Sequence, residues 1–327
     1  MLYDVVTVGD AVLDTQVQID DASVECNLDT HECKLCLNYA GKIPITSSFQ
    51  ALGGNAANVV VGLKKLGLNS AIVTTLGADS NGKIILTGLE KANVDTSLVK
   101  IDKNVDTRYA VVLNYKGERT ILSYHAPRSY VWPKKMETTW LYFTNLSEGF
   151  EQFQAEALDY VKRHPTVKLV YNPGSYQLKN ALPAVREFAA ASQILIVNLE
   201  EAEQIANLTL AQAKSVPAII HALLETGCQE VAITDAAKGA WAGNEENIYK
   251  IASFPVKVVS KTGAGDAFSS GYLAARMKDH DLATALSWGI ATSCSVIGAV
   301  GAQTALPDEK ELSAMLNKYT DIRAVEV

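Results

Sequence analysis

The sequence predicts an α/β protein: a doubly wound, mostly parallel sheet with helices on both faces and a small β-sheet lid. Three observations carry this. β-Branched runs alternate with helical apolar patterns from end to end, which is how successive βαβ units read in sequence. Glycine turns open helices at Gly53-Gly54-Asn55 and at Gly263-Ala264-Gly265-Asp266. Two regions, 15–50 and 105–127, instead carry short alternating runs such as Tyr109-Ala110-Val111-Val112-Leu113 and Thr120-Ile121-Leu122-Ser123-Tyr124, joined by Lys116-Gly117. That is the pattern of added antiparallel strands.

Taken in order, strands are expected at 3–9, 70–76, 139–145, 167–172, 194–199 and 230–235. Helices are expected at about 55–66, 150–163, 181–191, 200–207, 216–226 and 264–278. Val256-Lys257-Val258-Val259 reads as one more strand before the last glycine turn. Residues 1–14, 51–104 and 128–327 then form the nucleotide- and substrate-binding α/β domain, and 15–50 with 105–127 form the lid. Leu282 to Pro307 holds no charged residue, but Ser287, Gly289, Thr292, Ser293 and Ser295 interrupt it. A spanning helix needs about 20 predominantly apolar residues, so a buried helix followed by a glycine loop is expected instead.

Composition excludes several partner classes. The 327 residues, 48% hydrophobic and 20% charged, suffice for a large core. Lysine and arginine total 29 against 36 acids, a net charge of −7, which argues against nucleic acid, polyanions and acidic membranes as partners. The N-terminus has neither a basic n-region nor a cleavage site, so a cytoplasmic location is expected. Five cysteines, an odd number, argue against a disulfide scaffold and for reduced thiols. Cys26, Cys33 and Cys36 with His31 could supply soft ligands to zinc, but only one C-x₂-C spacing exists, so zinc is the lesser reading.

The chemistry concentrates at the last glycine turn. Free N–H groups at a helix N-terminus, backed by the helix dipole, stabilise a phosphate or the charge that develops during its transfer. Asp266 stands one residue past Gly265, where a carboxylate can act as a base beside that phosphate. The same acid would also complement the dipole of the helix's first turn, and the turn alone does not decide between the roles.

Five motifs in order carry a family resemblance: Gly9-Asp10-Ala11-Val12-Leu13-Asp14, Gly53-Gly54-Asn55-Ala56-Ala57-Asn58, Gly77-Ala78-Asp79-Ser80-Asn81-Gly82, Asn198-Leu199-Glu200-Glu201 and Thr262-Gly263-Ala264-Gly265-Asp266. Over nearly its whole length the chain resembles the ribokinase (PfkB-type) family of sugar and nucleoside kinases. The resemblance implies a ribokinase-like fold with a β-sheet lid, ATP as phosphoryl donor and Mg²⁺. It makes Asp266 the general base and Gly263, Ala264 and Gly265 the anion hole. Asp14, Asp10, Gly54, Asn55 and Asn58 match the positions that grip acceptor hydroxyls, although Asn55 would also serve as a helix cap. Asn198, Thr234, Gly239, Thr262 and Gly265 match the nucleotide side. Glu201 and Asn198 match the Asn-x-x-Glu that holds the magnesium, through water.

Two departures from the family pattern stand out. Ser260 occupies a position where many members carry an acid that helps build a monovalent-cation site, which leaves a potassium requirement open. Ala236 replaces the glycine usual two residues after Thr234, in a loop that runs along the nucleotide phosphates.

The expected function is ATP-dependent phosphorylation of a hydroxyl on a monosaccharide or related polyol. A nucleoside kinase of the same fold is the alternative, and a catalytically silent sugar-binding regulator is a third. Tyr109, Tyr124 and His125 are candidates to stack on a base. Arg108, Arg119 and Arg128 are candidates for an acceptor carrying a phosphate or carboxylate. Asn172 to Gln177 follows another strand and is a candidate lining of the same cleft. Exposed lid edges suggest a homodimer through the lid.

Overall fold

A computed structural model describes residues 2–27, 32–124 and 128–327. Its centre is a nine-stranded sheet in the order Val325–Glu326, Ile248–Ile251, Ala240–Gly243, Glu230–Thr234, Ile194–Asn198, Lys168–Tyr171, Glu137–Phe143, Leu2–Val8 and Ser70–Val73. The pairings from Glu230–Thr234 through Ser70–Val73 are all parallel. The remaining three are antiparallel.

Both faces of the parallel part are covered, which is why its strands read as nearly unbroken apolar runs. Alternation decides which face each side chain joins. Leu169, Tyr171, Leu195 and Val197 point into one core with Phe153, Phe188 and Ile220 from the helices Glu151–Arg163, Leu182–Ala190 and Val216–Leu224. Val170, Ile194 and Ile196 point into the other, with Phe268 and Tyr272 from Ala264–Met277 and Leu286 and Ile290 from Leu282–Ile297. The uncharged stretch from Leu282 is thus a buried helix. Among the described residues, no helix is long and apolar enough to cross a membrane.

The six expected strands and six expected helices are present, with ends shifted by a few residues. The strand expected at 70–76 is split into Ser70–Val73 and Thr75–Gly77, the latter pairing with Lys100–Asp102. The motif Gly77 to Gly82 starts an additional helix, Ser80–Lys91, whose N-cap Asp79 accepts a hydrogen bond from the Gly82 N–H.

Residues of the two irregular regions build a four-stranded sheet in the order Glu118–Tyr124, Tyr109–Tyr115, Val12–Ile19, Ile45–Gly53. A separate hairpin, Ser23–Asn27 with Glu32–Cys36, projects between Val12–Ile19 and Ile45–Gly53 in the chain.

Two expectations are corrected. Val256 to Val259 forms no strand: the segment has no neighbouring strand, and the Val259 and Ser260 N–H groups both bond to the Ile297 carbonyl at the end of Leu282–Ile297. Nor are all the cysteines reduced. Cys26 and Cys33 oppose one another across the hairpin and form a disulfide, with Cα atoms 4.0 Å apart. Spacing in sequence gave no view of that register. The bond removes both sulfurs from any zinc site, while Cys36, Cys228 and Cys294 stay free. His31 lies outside the described residues, among which no cluster of three or more His, Cys, Asp or Glu could hold a metal.

Candidate active site

Helix Ala264–Met277 is capped by Gly263 in the left-handed region at φ 77°, where a side chain would stand 2.4 Å from the Ala302 Cβ. Only glycine fits this turn, and the turn sets Asp266 in the first helical turn. Asp266 is 8% exposed and accepts hydrogen bonds from Asn55 Nδ2 at 2.9 Å and Asn58 Nδ2 at 2.7 Å. Gln303 Nε2 donates to Asn58 Oδ1 at 2.9 Å and so orients that amide with its nitrogen toward the carboxylate. Burial pushes Asp266 up to about 6, against the two amide bonds, and the charge of Asp14 adds to the rise.

Both asparagines come from helix Asn55–Lys65, whose N-cap is Gly54 at φ 93°. A Cβ on Gly54 would lie 2.4 Å from the Asp10 carbonyl oxygen. Asn55 is the first helical residue rather than its cap, and its side chain turns to Asp266. Asp14 is half-buried against Gly53, where a Cβ would meet its Oδ2 at 2.4 Å. Burial pushes Asp14 up to about 6 as well, and the Arg119 charge opposes that shift.

Arg119, on the strand Glu118–Tyr124, donates from Nη1 to Thr262 Oγ1 at 2.8 Å, and neighbouring Glu118 pairs with Lys261 at 3.3 Å. The four-stranded sheet therefore touches the glycine turn directly. Arg108 and Arg128 do not reach ligand space. Arg108, 1% exposed, is committed to a buried ion pair with Asp10 and to Ser147 and Tyr130. Arg128 donates to the carbonyls of Thr75 and Asp106. Tyr109 and Tyr124 lie 5.4 Å apart, ring to ring, and His125 lies outside the described residues.

A cleft of about 650 Å³ opens at the carboxyl ends of the parallel strands. Of the residues expected from sequence, Asn55, Asn198, Glu201, Thr234, Gly265 and Asp266 line it. Asn198 caps helix Leu199–Ala206 and exchanges hydrogen bonds of 2.9 Å with Glu201, whose carboxyl is raised by burial. Gly239 is not among the residues that line the cleft; it sits at φ 100°, where a Cβ would meet the Ile251 carbonyl oxygen at 1.9 Å. Its role is to allow the turn back into Ala240–Gly243.

Asn172, Gly174 and Tyr176 line the cleft, as the reading of that segment anticipated. Asn145, Ser147, Glu148 and Ser269 line it too and were not picked out in sequence. The first three follow the strand Glu137–Phe143, so the rule that ligands gather at strand carboxyl ends would have found them. Among the described residues, the lining holds amides, hydroxyls and carboxylates but no lysine or arginine.

Phosphoryl transfer to a small hydroxyl-bearing molecule is the chemistry this fold and cleft define. The family model for pfkB family carbohydrate kinases matches residues 16–309, and the chain belongs to that family of sugar and nucleoside kinases. It is 26% identical to the ATP-dependent 6-phosphofructokinase of Thermoanaerobacterium thermosaccharolyticum, over 96% of this chain and 94% of that one. It is 23% identical to the 5-dehydro-2-deoxygluconokinase of Bacillus subtilis, over 96% of both. The nucleoside kinase structure from Methanocaldococcus jannaschii superposes with a TM-score of 0.78 at 22% identity, covering 97% of this chain and 99% of that one. Arabidopsis thaliana ribokinase complexed with ribose and ATP gives a TM-score of 0.79 at 20% identity, with 97% and 99% coverage.

Proposed function

We propose that the protein transfers the γ-phosphoryl group of ATP to a hydroxyl of a monosaccharide or related polyol, with Asp266 as general base. The observation that carries this is the position of Asp266: directly after the Gly263-Ala264-Gly265 turn and held by two amides from the Gly54 helix. The ionised carboxylate takes the acceptor's proton as its oxygen attacks, while N–H groups of the turn face the charge developing on the transferred phosphate. Asp14 and the Asn55 amide suit a polyol, because each offers acceptors or donors to neighbouring hydroxyls, while Asn58, bonded to Asp266 and Gln303, serves the base. A lining of amides, hydroxyls and carboxylates, without lysine or arginine among the described residues, favours an uncharged acceptor over a phosphosugar. A nucleoside kinase remains the alternative.

Glu201 and Asn198 would hold Mg²⁺ through water. The absence of a three-carboxylate cluster among the described residues fits an ion that keeps several waters and shares the phosphates. When bound, the ion would neutralise phosphate charge. Ser260 turns its hydroxyl to Thr262 at 3.2 Å, and a neutral group there supports potassium-independent turnover. Residues 15–50 and 105–127 act as the lid, and Arg119 brings a positive charge to the open side of the turn. The exposed Ile45, Phe49 and Leu122 on the lid sheet support a homodimer formed through it, and a monomeric mass in solution would exclude one.

The test is ADP release from Mg-ATP over hexoses, ribose, sugar acids, phosphosugars and nucleosides, with Asp266→Asn alongside. One strongly preferred polyol, and a loss of about 10²- to 10⁴-fold in the variant, is expected. A nucleoside as best acceptor would establish the alternative. Ligand binding without turnover on any acceptor would point to the regulator.

A further inference from the structure

The parallel strands have a second end, and it is not featureless. At the amino ends of Leu2–Val8 and Glu137–Phe143, away from the cleft, lies a cavity of about 730 Å³. Its lining includes Tyr3, Trp132, Lys134, Lys135, Tyr160 and Arg163.

The side chains of this cavity divide into two parts. Trp132 packs on Tyr160 at 5.6 Å, and His164 stacks on the other ring at 4.3 Å with an interplanar angle of 29°. Three polar atoms here are already satisfied: Tyr3 Oη by Asp95, Tyr160 Oη by the Met136 carbonyl and His164 Nδ1 by the Tyr160 carbonyl. What the aromatic part offers a ligand is therefore the half-buried indole of Trp132. The cationic part is less satisfied. Arg163 pairs with Asp159, but among the described residues neither Lys134 nor Lys135 has a hydrogen-bond or ion-pair partner. The lining contains one carboxylate, Glu137, against three cationic side chains and His164.

We propose that this cavity is a second ligand site, distinct from the catalytic cleft, for a molecule that joins a planar ring to phosphate groups: a nucleotide. The ring lies against the half-buried Trp132, and the ammonium groups of Lys134 and Lys135 meet the phosphates. Stacking is insensitive to the identity of the base, so the site reads nucleotide class rather than one base. A seven-residue strand spans roughly 20 Å, so the two sites lie at opposite ends of the same rigid elements and are occupied independently in space.

Calorimetric titration of the full-length protein with ADP tests this, using wild type, Lys134→Glu/Lys135→Glu and Trp132→Leu. The lysines are exposed, so charge reversal leaves the core intact; circular dichroism and retained kinase turnover check this. Wild type is expected to bind one more ADP per chain than the double variant. Equal stoichiometry in both overturns the site. In the binding component removed by charge reversal, pyrophosphate and the Trp132→Leu variant are each expected to show affinity about tenfold weaker than ADP with wild type. Undiminished affinity in both overturns the ring contact, and with it the nucleotide class.

Discussion

Replacing Asp266 by asparagine is expected to lower turnover by about 10²- to 10⁴-fold and at the same time stabilise the protein. Burial lifts the Asp266 carboxyl from 3.8 to about 6. Two pH units correspond to about 3 kcal/mol, so at pH 7.5 the ionised, buried group destabilises the fold by about that much. Because the folded value is raised, the favourable contribution is complete below the unfolded value of 3.8 and disappears as pH rises through about 6. Asparagine is neutral throughout. Gln303 keeps the Asn58 amide nitrogen facing position 266, so the new side chain would give its oxygen to Asn58 and oblige Asn55 to turn, at a cost of about 1 kcal/mol. The net expectation is a gain of about 2 kcal/mol at pH 7.5 that shrinks toward pH 4. Urea unfolding of both proteins at the two pH values measures it, with ADP release on the same samples. A variant less stable than wild type by the same margin at both pH values would refute a carboxylate held against its ionisation.

Further outcomes follow from the same geometry. Wild-type kcat is expected to fall about tenfold per pH unit below about 6, as the base takes up its proton; a flat profile down to pH 5 would contradict that role. Arg119→Gln should lower kcat/KM by about 10- to 100-fold by removing the cation beside Thr262, while its unfolding midpoint stays at the wild-type value. Gln303→Leu frees the Asn58 amide and should lower kcat by about tenfold, with the acid limb moved to higher pH; an unmoved limb would leave Gln303 a packing residue. Glu230→Ala strands Tyr272 and Arg276, which donate to that carboxylate at 2.7 and 2.8 Å, and should lower stability by about 3–5 kcal/mol with KM unchanged, read by denaturant unfolding and initial rates.

Much of the fold was legible because period and punctuation agreed. The parallel strands, buried on both faces, read as continuous apolar runs, and the two glycine turns marked where helices begin. Val256 to Val259 misled for the same reason: β-branched residues fit an extended segment whether or not a neighbouring strand is there to pair with it. The disulfide was illegible because it depends on which residues of a hairpin face each other, and a register shift of one residue changes every pair. In the site, Asp266 and the amides announced themselves through motif spacing. Their mutual hydrogen bonds did not, since Asn55 and Asp266 are 211 positions apart. The roles of the three arginines could be separated only by seeing which were consumed by Asp10 and by backbone carbonyls.

Strand Ile45–Gly53 of the small sheet runs through Gly54 straight into Asn55. The proposed lid is thus covalently continuous with the amide that bonds Asp266. Asn55 bonds Asp266 in the structure as it stands, so any displacement of this sheet would be carried directly to the proposed base. Inserting one residue between Gly53 and Gly54 would move Asn55 off Asp266, and it is expected to raise idle ATP hydrolysis relative to productive transfer, as measured by ADP formed with and without acceptor.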